Sequence, residues 1–130
     1  MIVVDASAIV DLLVERPVNA ELYERLVDED LHAPHLIDIE VLAALRRLER
    51  ESTLSRDAAQ TVATQHGELA LQRYPHAPLV RRIWALRSAM STYDAAYVAL
   101  AEALAVPLVT SDARLGRSSA HHADIEAFSR

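Results

Sequence analysis

Asp5, Glu40, Asp94 and Asp112 stand at the edges of apolar segments, where a folded domain ordinarily places neutral side chains. Asp5 follows Ile2-Val3-Val4, and Asp112 follows Pro107-Leu108-Val109-Thr110-Ser111, so two of the acids end short β-rich runs. Glu40 and Asp94 fall inside helical patterns. Carboxylates with such apolar neighbours repel one another and are costly to desolvate unless a cation joins them. The cation that suits carboxylate oxygen and water is Mg²⁺ or Mn²⁺.

Each acid also has a structural reading. Asp5 precedes a helical pattern and fits an N-cap, a role open to Ser7 as well. Ser91-Thr92-Tyr93-Asp94 fits a capping box before an apolar run, and Asp112 fits the start of a turn toward Arg114. Glu40 is harder to explain this way, because its helical neighbours are Leu36, Ile37, Ala43 and Ala44. Arg47 is within reach as a partner. Asp38 has an equally apolar setting, and periodicity alone does not choose between Asp38 and Glu40.

The elements that must position these acids alternate. Ile2 to Val4 reads as a buried strand, followed at once by a helix over Ser7 to Val14. Asn19 caps a second helix running to about Asp30. A strand is expected at Leu31 to Ala33, then a helix from His35 to Arg50 with Ile37, Val41, Leu45 and Leu48 on its inner face. Another helix starts near Ser55, with a short strand over Glu68 to Gln72. Pro78 to Arg87 reads as helical, Ser88 to Ser91 as a break, and Thr92 to Leu104 as a helix with a Tyr93, Tyr97, Leu100, Leu104 stripe. Leu108 to Thr110 is a strand, Arg114 to Arg117 a loop or helical turn, and Ile125 to Phe128 an edge strand. Short apolar strands alternating with helices predict an α/β fold: a short-stranded parallel sheet between two helical layers. Ligands bind such sheets beyond the carboxyl ends of the strands, where Asp5 and Asp112 fall.

In order along the chain stand Val4-Asp5-Ala6-Ser7-Ala8, then Ala33-Pro34-His35-Leu36-Ile37-Asp38-Ile39-Glu40-Val41, then Tyr93-Asp94-Ala95-Ala96-Tyr97-Val98-Ala99-Leu100-Ala101-Glu102, and lastly Leu108-Val109-Thr110-Ser111-Asp112-Ala113-Arg114-Leu115. Together these resemble the successive motifs of PIN-domain ribonucleases, in particular the VapC-type toxins of bacterial toxin–antitoxin modules. The resemblance implies that Asp5, Glu40, Asp94 and Asp112 form the acidic quartet that holds Mg²⁺, with Mn²⁺ able to substitute, and it selects Glu40 over Asp38. It implies support from the hydroxyls of Ser7 and Thr110, an RNA substrate, a cognate antitoxin and a homodimer. Met90 departs from the polar residue common nearby in the family. The implied activity is hydrolysis of RNA phosphodiesters.

Composition narrows the alternatives. The 130 residues, 52% hydrophobic with two Gly and five Pro, predict one domain over residues 1–130. No Cys is present, which excludes disulfides and thiolate zinc sites, and the chain opens on an apolar strand without a basic leader. A cytoplasmic protein is expected. Ala95 to Ser111 carries one charge, Glu102, but Pro107 and the switch to β-type residues argue against a membrane span. The net charge of −6 disfavours a generic nucleic-acid coat, although bound divalent ions would offset much of it. All 13 basic residues are Arg, and a phospho-receiver or aspartyl-phosphatase would ordinarily use a Lys. A catalytically inactive PIN-like module that only binds partners is the remaining alternative. His121-His122 reads as surface. Arg46 and Arg50, or Arg81, Arg82 and Arg87, are candidate phosphate contacts, with a solvated face favoured for the first pair by Glu49 and Glu51. Trp84, Tyr93 and Tyr97 are expected in the core.

Overall fold

The first strand, β1 (Ile2–Val4), is buried on every residue, as three consecutive apolar side chains require when both faces of a central parallel strand are covered. In the computed structural model, which describes residues 1–14 and 16–129, β1 is followed by α1 (Ala6–Val14) and α2 (Ala20–Leu26). Next come β2 (Leu31–Pro34), α3 (Leu36–Arg50), α4 (Arg56–Glu68) and β3 (Leu71–Tyr74). A 3₁₀ turn (Ala77–Leu79) leads into α5 (Val80–Ala85), α6 (Thr92–Leu104), β4 (Leu108–Thr110), α7 (Ala113–Gly116) and β5 (Ile125–Ala127). All strand pairings are parallel, in the order β3-β2-β1-β4-β5.

That order decides where a site can form. The chain builds outward from β1 through β2 to β3, then returns to β1's other edge to add β4 and β5, so the direction of winding reverses between β1 and β4. Val3 and Val4 lie beside Leu108 and Val109 across this junction. Helices leaving β1 and β4 therefore diverge onto opposite faces and open a crevice at the strands' carboxyl ends. Asp5, buried, and Asp112, half-buried, follow the ends of these two strands there.

The helix packed beneath the crevice is α6. Seven consecutive residues, Ala95 to Ala101, are buried, and four of them are alanines that let the helix approach the sheet closely. Ser91 caps it by accepting from the Asp94 N–H at 3.1 Å, and Ala105 in the left-handed region (φ 55°) ends it. Among the described residues no helix is long and apolar enough to cross a membrane.

Several expected boundaries move. α2 stops at Leu26 rather than Asp30, because Val27 turns extended and Asp28 takes φ 64°. β3 starts at Leu71, since α4 continues through Glu68 and Leu69 is already extended. Trp84 and Tyr93 are not core residues: they are 62% and 59% exposed. The short α5 contains no buried residue and is anchored by Leu79 and Leu86 on either side, which leaves Trp84 outside with the Arg87 guanidinium 4.4 Å above its ring. Tyr93 lies in the first turn of α6, before the helix meets the sheet. Tyr97 is buried as expected, and Met90 packs against the core from a half-buried position.

Candidate active site

Asp5 is 6% exposed, and three donors converge on it. The Ser7 hydroxyl (2.7 Å) and the Ala8 N–H (3.0 Å) donate to Oδ1, and the Thr110 hydroxyl donates to Oδ2 at 2.6 Å. The two hydroxyls also accept. Ser7 Oγ takes the Ser111 N–H (3.0 Å) and Thr110 Oγ1 takes the Asp112 N–H (3.0 Å). This network binds the end of β1 to the end of β4 through the carboxylate between them. Burial pushes the Asp5 carboxyl up to about 6, against the pull of the three hydrogen bonds and with a further push from the charge on Asp94.

Asp94 enters from the first turn of α6. Burial raises its carboxyl above the ordinary range, with the Asp112 charge adding to the rise and Arg114 opposing it. Asp112 caps α7, its Oδ1 accepting the Arg114 N–H at 2.9 Å and the Leu115 N–H at 3.4 Å. The Arg114 guanidinium lies 3.2 Å from Asp112 and 3.6 Å from Asp94, so one exposed cation sits against both acids. The capping reading of Asp112 is thus correct, and it places the residue at the crevice as well.

Glu40 comes from the second turn of α3. Its Oε1 accepts the Tyr97 hydroxyl at 2.7 Å; among the described residues it forms no ion pair with Arg47. Burial, and then the Glu40 carboxylate, hold the Tyr97 phenol protonated far above its ordinary range, and Asp5 adds to the effect. Tyr97 therefore ties Glu40 to the floor of the crevice that contains Asp5. Asp38 points elsewhere. Arg73 grips both of its oxygens (Nε at 3.0 and 2.8 Å, Nη2 at 2.9 Å) and His66 Nε2 lies at 2.8 Å. Arg73 chiefly, and His66 in addition, hold its carboxyl below the usual range.

Contacts connect all four acids and both hydroxyls: Asp5, Ser7, Thr110 and Asp112 share one hydrogen-bond network, Arg114 joins Asp112 to Asp94, and Tyr97 joins Glu40 to α6. Two residues there were not singled out from sequence. Tyr97 was read only as core; its spacing of three from Asp94 puts both on one helix face, and the hydroxyl was the available signal. Arg114 lies two residues beyond Asp112, too close in sequence to announce that it reaches Asp94. Of the other candidates, Arg82 is engaged by both oxygens of Glu102 (2.7 and 3.0 Å), and His121 caps its own loop through Ser118.

A PIN-domain family model matches residues 2–120. The chain belongs to the PIN-domain family. Ribonuclease VapC12 of Mycobacterium tuberculosis is 42% identical over 126 residues, covering 97% of this chain and 98% of that protein. Ribonuclease VapC9 of the same organism is 44% identical over 115 residues, covering 88% of each. Among solved structures, PAE2754 of Pyrobaculum aerophilum superposes with a TM-score of 0.66 at 26% identity, covering 88% of this chain and 76% of its own. The VapBC2 complex of Rickettsia felis, bound to a promoter DNA fragment, contains a chain with a TM-score of 0.70 at 15% identity and 98% coverage of both. PIN-domain ribonucleases in general use a divalent metal. Among the described residues no three His, Asp or Glu side chains are disposed to chelate one ion directly. The donor set nevertheless fits a hard cation that is held by one or two carboxylates and keeps most of its waters. The buried Ser111 hydroxyl beside Asp112 has no protein hydrogen-bond partner among the described residues and is suited to such an ordered water.

Proposed function

We propose that this PIN-domain chain is a Mg²⁺-dependent endoribonuclease, the toxin of a toxin–antitoxin pair, acting in the cytoplasm as a homodimer. The observation that carries the reading is the convergence of Asp5, Glu40, Asp94 and Asp112 at the β1/β4 switch point, with Ser7 and Thr110 fixing Asp5. The full-length similarity to named VapC ribonucleases supports it.

Asp5, Glu40, Asp94 and Asp112 would hold the ion, one or two of them directly and the others through its waters, with Mn²⁺ able to replace Mg²⁺. Bound there, a divalent ion supplies Lewis acidity, acidifying water and offsetting charge on phosphodiester oxygens. The protein's own contribution is positional. Two hydroxyls and a backbone N–H keep Asp5 ionised at neutral pH and fixed in rotation, so its charge needs no rearrangement when a cation or phosphate arrives. Tyr97 occupies one oxygen of Glu40 and leaves Oε2 as the acceptor that can orient a water for in-line attack. Arg114 screens Asp94 from Asp112, and its side chain, 78% exposed, has open space in which to turn toward a phosphate. With water as nucleophile the products carry 5′-phosphate and 3′-hydroxyl ends.

The antitoxin is expected across this crevice, where an inserted Arg or Lys finds four carboxylates. The test is a metal series on purified protein with RNA. Cleavage should appear with Mg²⁺ or Mn²⁺, disappear with chelator, and fail with Ca²⁺, whose looser coordination places water poorly. Cleavage that survives chelation would refute the reading, and absence of carboxylate-dependent Mn²⁺ uptake would leave an inactive partner-binding module instead.

A further inference from the structure

The crevice holding Ser7 and Glu40 opens into a groove of about 420 Å³ between α1 and α3, with Ala43 and Ala44 along it and Arg47 at its far side. A second hollow of about 340 Å³ shares Ala43 and Arg47 with the first and continues to Arg46 and Arg50. The groove thus runs from the acids along α3 to three arginines. Arg47 stands two turns beyond Glu40 on the same face, roughly 10 Å along the helix axis, and Arg50 one turn further.

All three arginines are exposed, and among the described residues none is in an ion pair. Arg46 and Glu49 are three residues apart and Arg47 and Glu51 four, both within reach on a helix, yet neither pair forms. Asp11 on the α1 wall does not engage Arg47 either. Among the described residues Arg25, Arg73, Arg82 and Arg114 meet carboxylates, whereas Arg56, Arg81, Arg87 and Arg117 also form no ion pair; what sets Arg46, Arg47 and Arg50 apart is that they line one continuous groove that begins at Glu40. Three guanidiniums free of ion pairs therefore line a groove that also carries Ala43, Ala44, Asp11 and Glu51, and the groove leads into an acidic crevice on a protein of net charge −6. Local positive charge beside such a crevice, added to that of bound divalent ions, favours the approach of a polyanion.

We propose that the α1/α3 groove is the track for single-stranded RNA, in which Arg47, Arg46 and Arg50 bind the phosphates flanking the scissile one. The proposal rests on the ribonuclease reading and adds the direction in which the strand leaves the acids. Forked guanidinium contacts suit phosphate oxygens, and the small alanine side chains leave room for the sugar-phosphate chain.

The experiment measures the affinity of a short fluorescein-labelled random-sequence RNA for full-length protein on a Glu40→Gln background, which keeps the RNA intact. Compared are Arg47→Ala, Arg47→Glu, the double variant Arg46→Ala/Arg50→Ala, and, as the control that separates this track from the alternative arginine group on α5, Arg81→Ala. Each track variant should raise Kd by roughly tenfold, and the slope of log Kd on log salt should fall by about 0.7 per arginine removed. Arg81→Ala should leave both unchanged. RNA affinity that the track variants share with the control overturns the track, and assigns the groove to a protein partner if dimer or antitoxin affinity shifts instead. Wild-type cleavage alongside that result would show that the ribonuclease reading survives; a wild type that neither cleaves nor binds RNA overturns both.

Discussion

Asp5 couples the site to the stability of the protein, and the sign of the effect is calculable. Its carboxyl lies at about 6 when folded, against 3.8 as a free side chain. Between those two values the folded protein holds a proton that the unfolded chain has released, and above the folded value the buried charge costs stability in full. The cost is about 3 kcal/mol at pH 8 in the absence of metal. It fades as pH falls through 6 and is gone below 4. Asp5→Asn should therefore be more stable than wild type in chelator at pH 8, with the advantage lost at pH 4; urea denaturation at the two pH values checks this. A variant less stable than wild type at pH 8 would mean that the three hydrogen bonds outweigh burial. Asp38 and Glu40 give a second test. Asp38→Asn weakens its contacts to Arg73 and His66 and should lower stability by about 1 kcal/mol while leaving cleavage unchanged. Glu40→Gln should reduce cleavage by orders of magnitude with stability intact. Sequence neighbours could not separate these two residues, because the partners that distinguish them, His66, Arg73 and Tyr97, lie 28, 35 and 57 positions away.

Among the elements, those whose burial is continuous were the most legible. Ile2–Val4 and Leu108–Thr110 read as strands because central parallel strands leave no face for polar side chains, and the acids that end them were conspicuous for the same reason. Ends set by single-residue geometry were not legible: α2 stops where Val27 turns extended, which a hydrophobic residue does not signal. Trp84 misled through its size. A six-residue helix held at both ends by leucines has no buried face to give it. The junction of β1 with β4 makes its own prediction. Thr110 joins the two strands by donating to Asp5 and accepting from Asp112. Thr110→Val keeps the shape and removes these two contacts together with the 3.2 Å contact to the Ser7 hydroxyl, so it should destabilise by about 1–3 kcal/mol at neutral pH. Cleavage should fall along with stability. Thermal unfolding and initial rates check the two effects, and full activity in a destabilised variant would limit Thr110 to a structural role.

For the whole molecule, the fold class follows from alternation of short strands with helices, but the strand order does not, and the crevice exists only because the sheet reverses direction at β1. Four acids separated by up to 107 positions meet there, and no local pattern states that they do. This convergence implies competition between a metal and the antitoxin. Antitoxin affinity measured over a Mg²⁺ series should weaken beyond the change produced by monovalent salt of equal ionic strength, and an affinity indifferent to Mg²⁺ would place the partner elsewhere. The central claim, hydrolysis of RNA by water at a carboxylate-held divalent ion, is tested most directly by the chemistry of the cut ends. Products made by purified protein with Mg²⁺ should carry 5′-phosphate and 3′-hydroxyl, and Asp94→Asn should make neither. Ends bearing 2′,3′-cyclic phosphate would show that the RNA's own hydroxyl attacks, and would contradict the account.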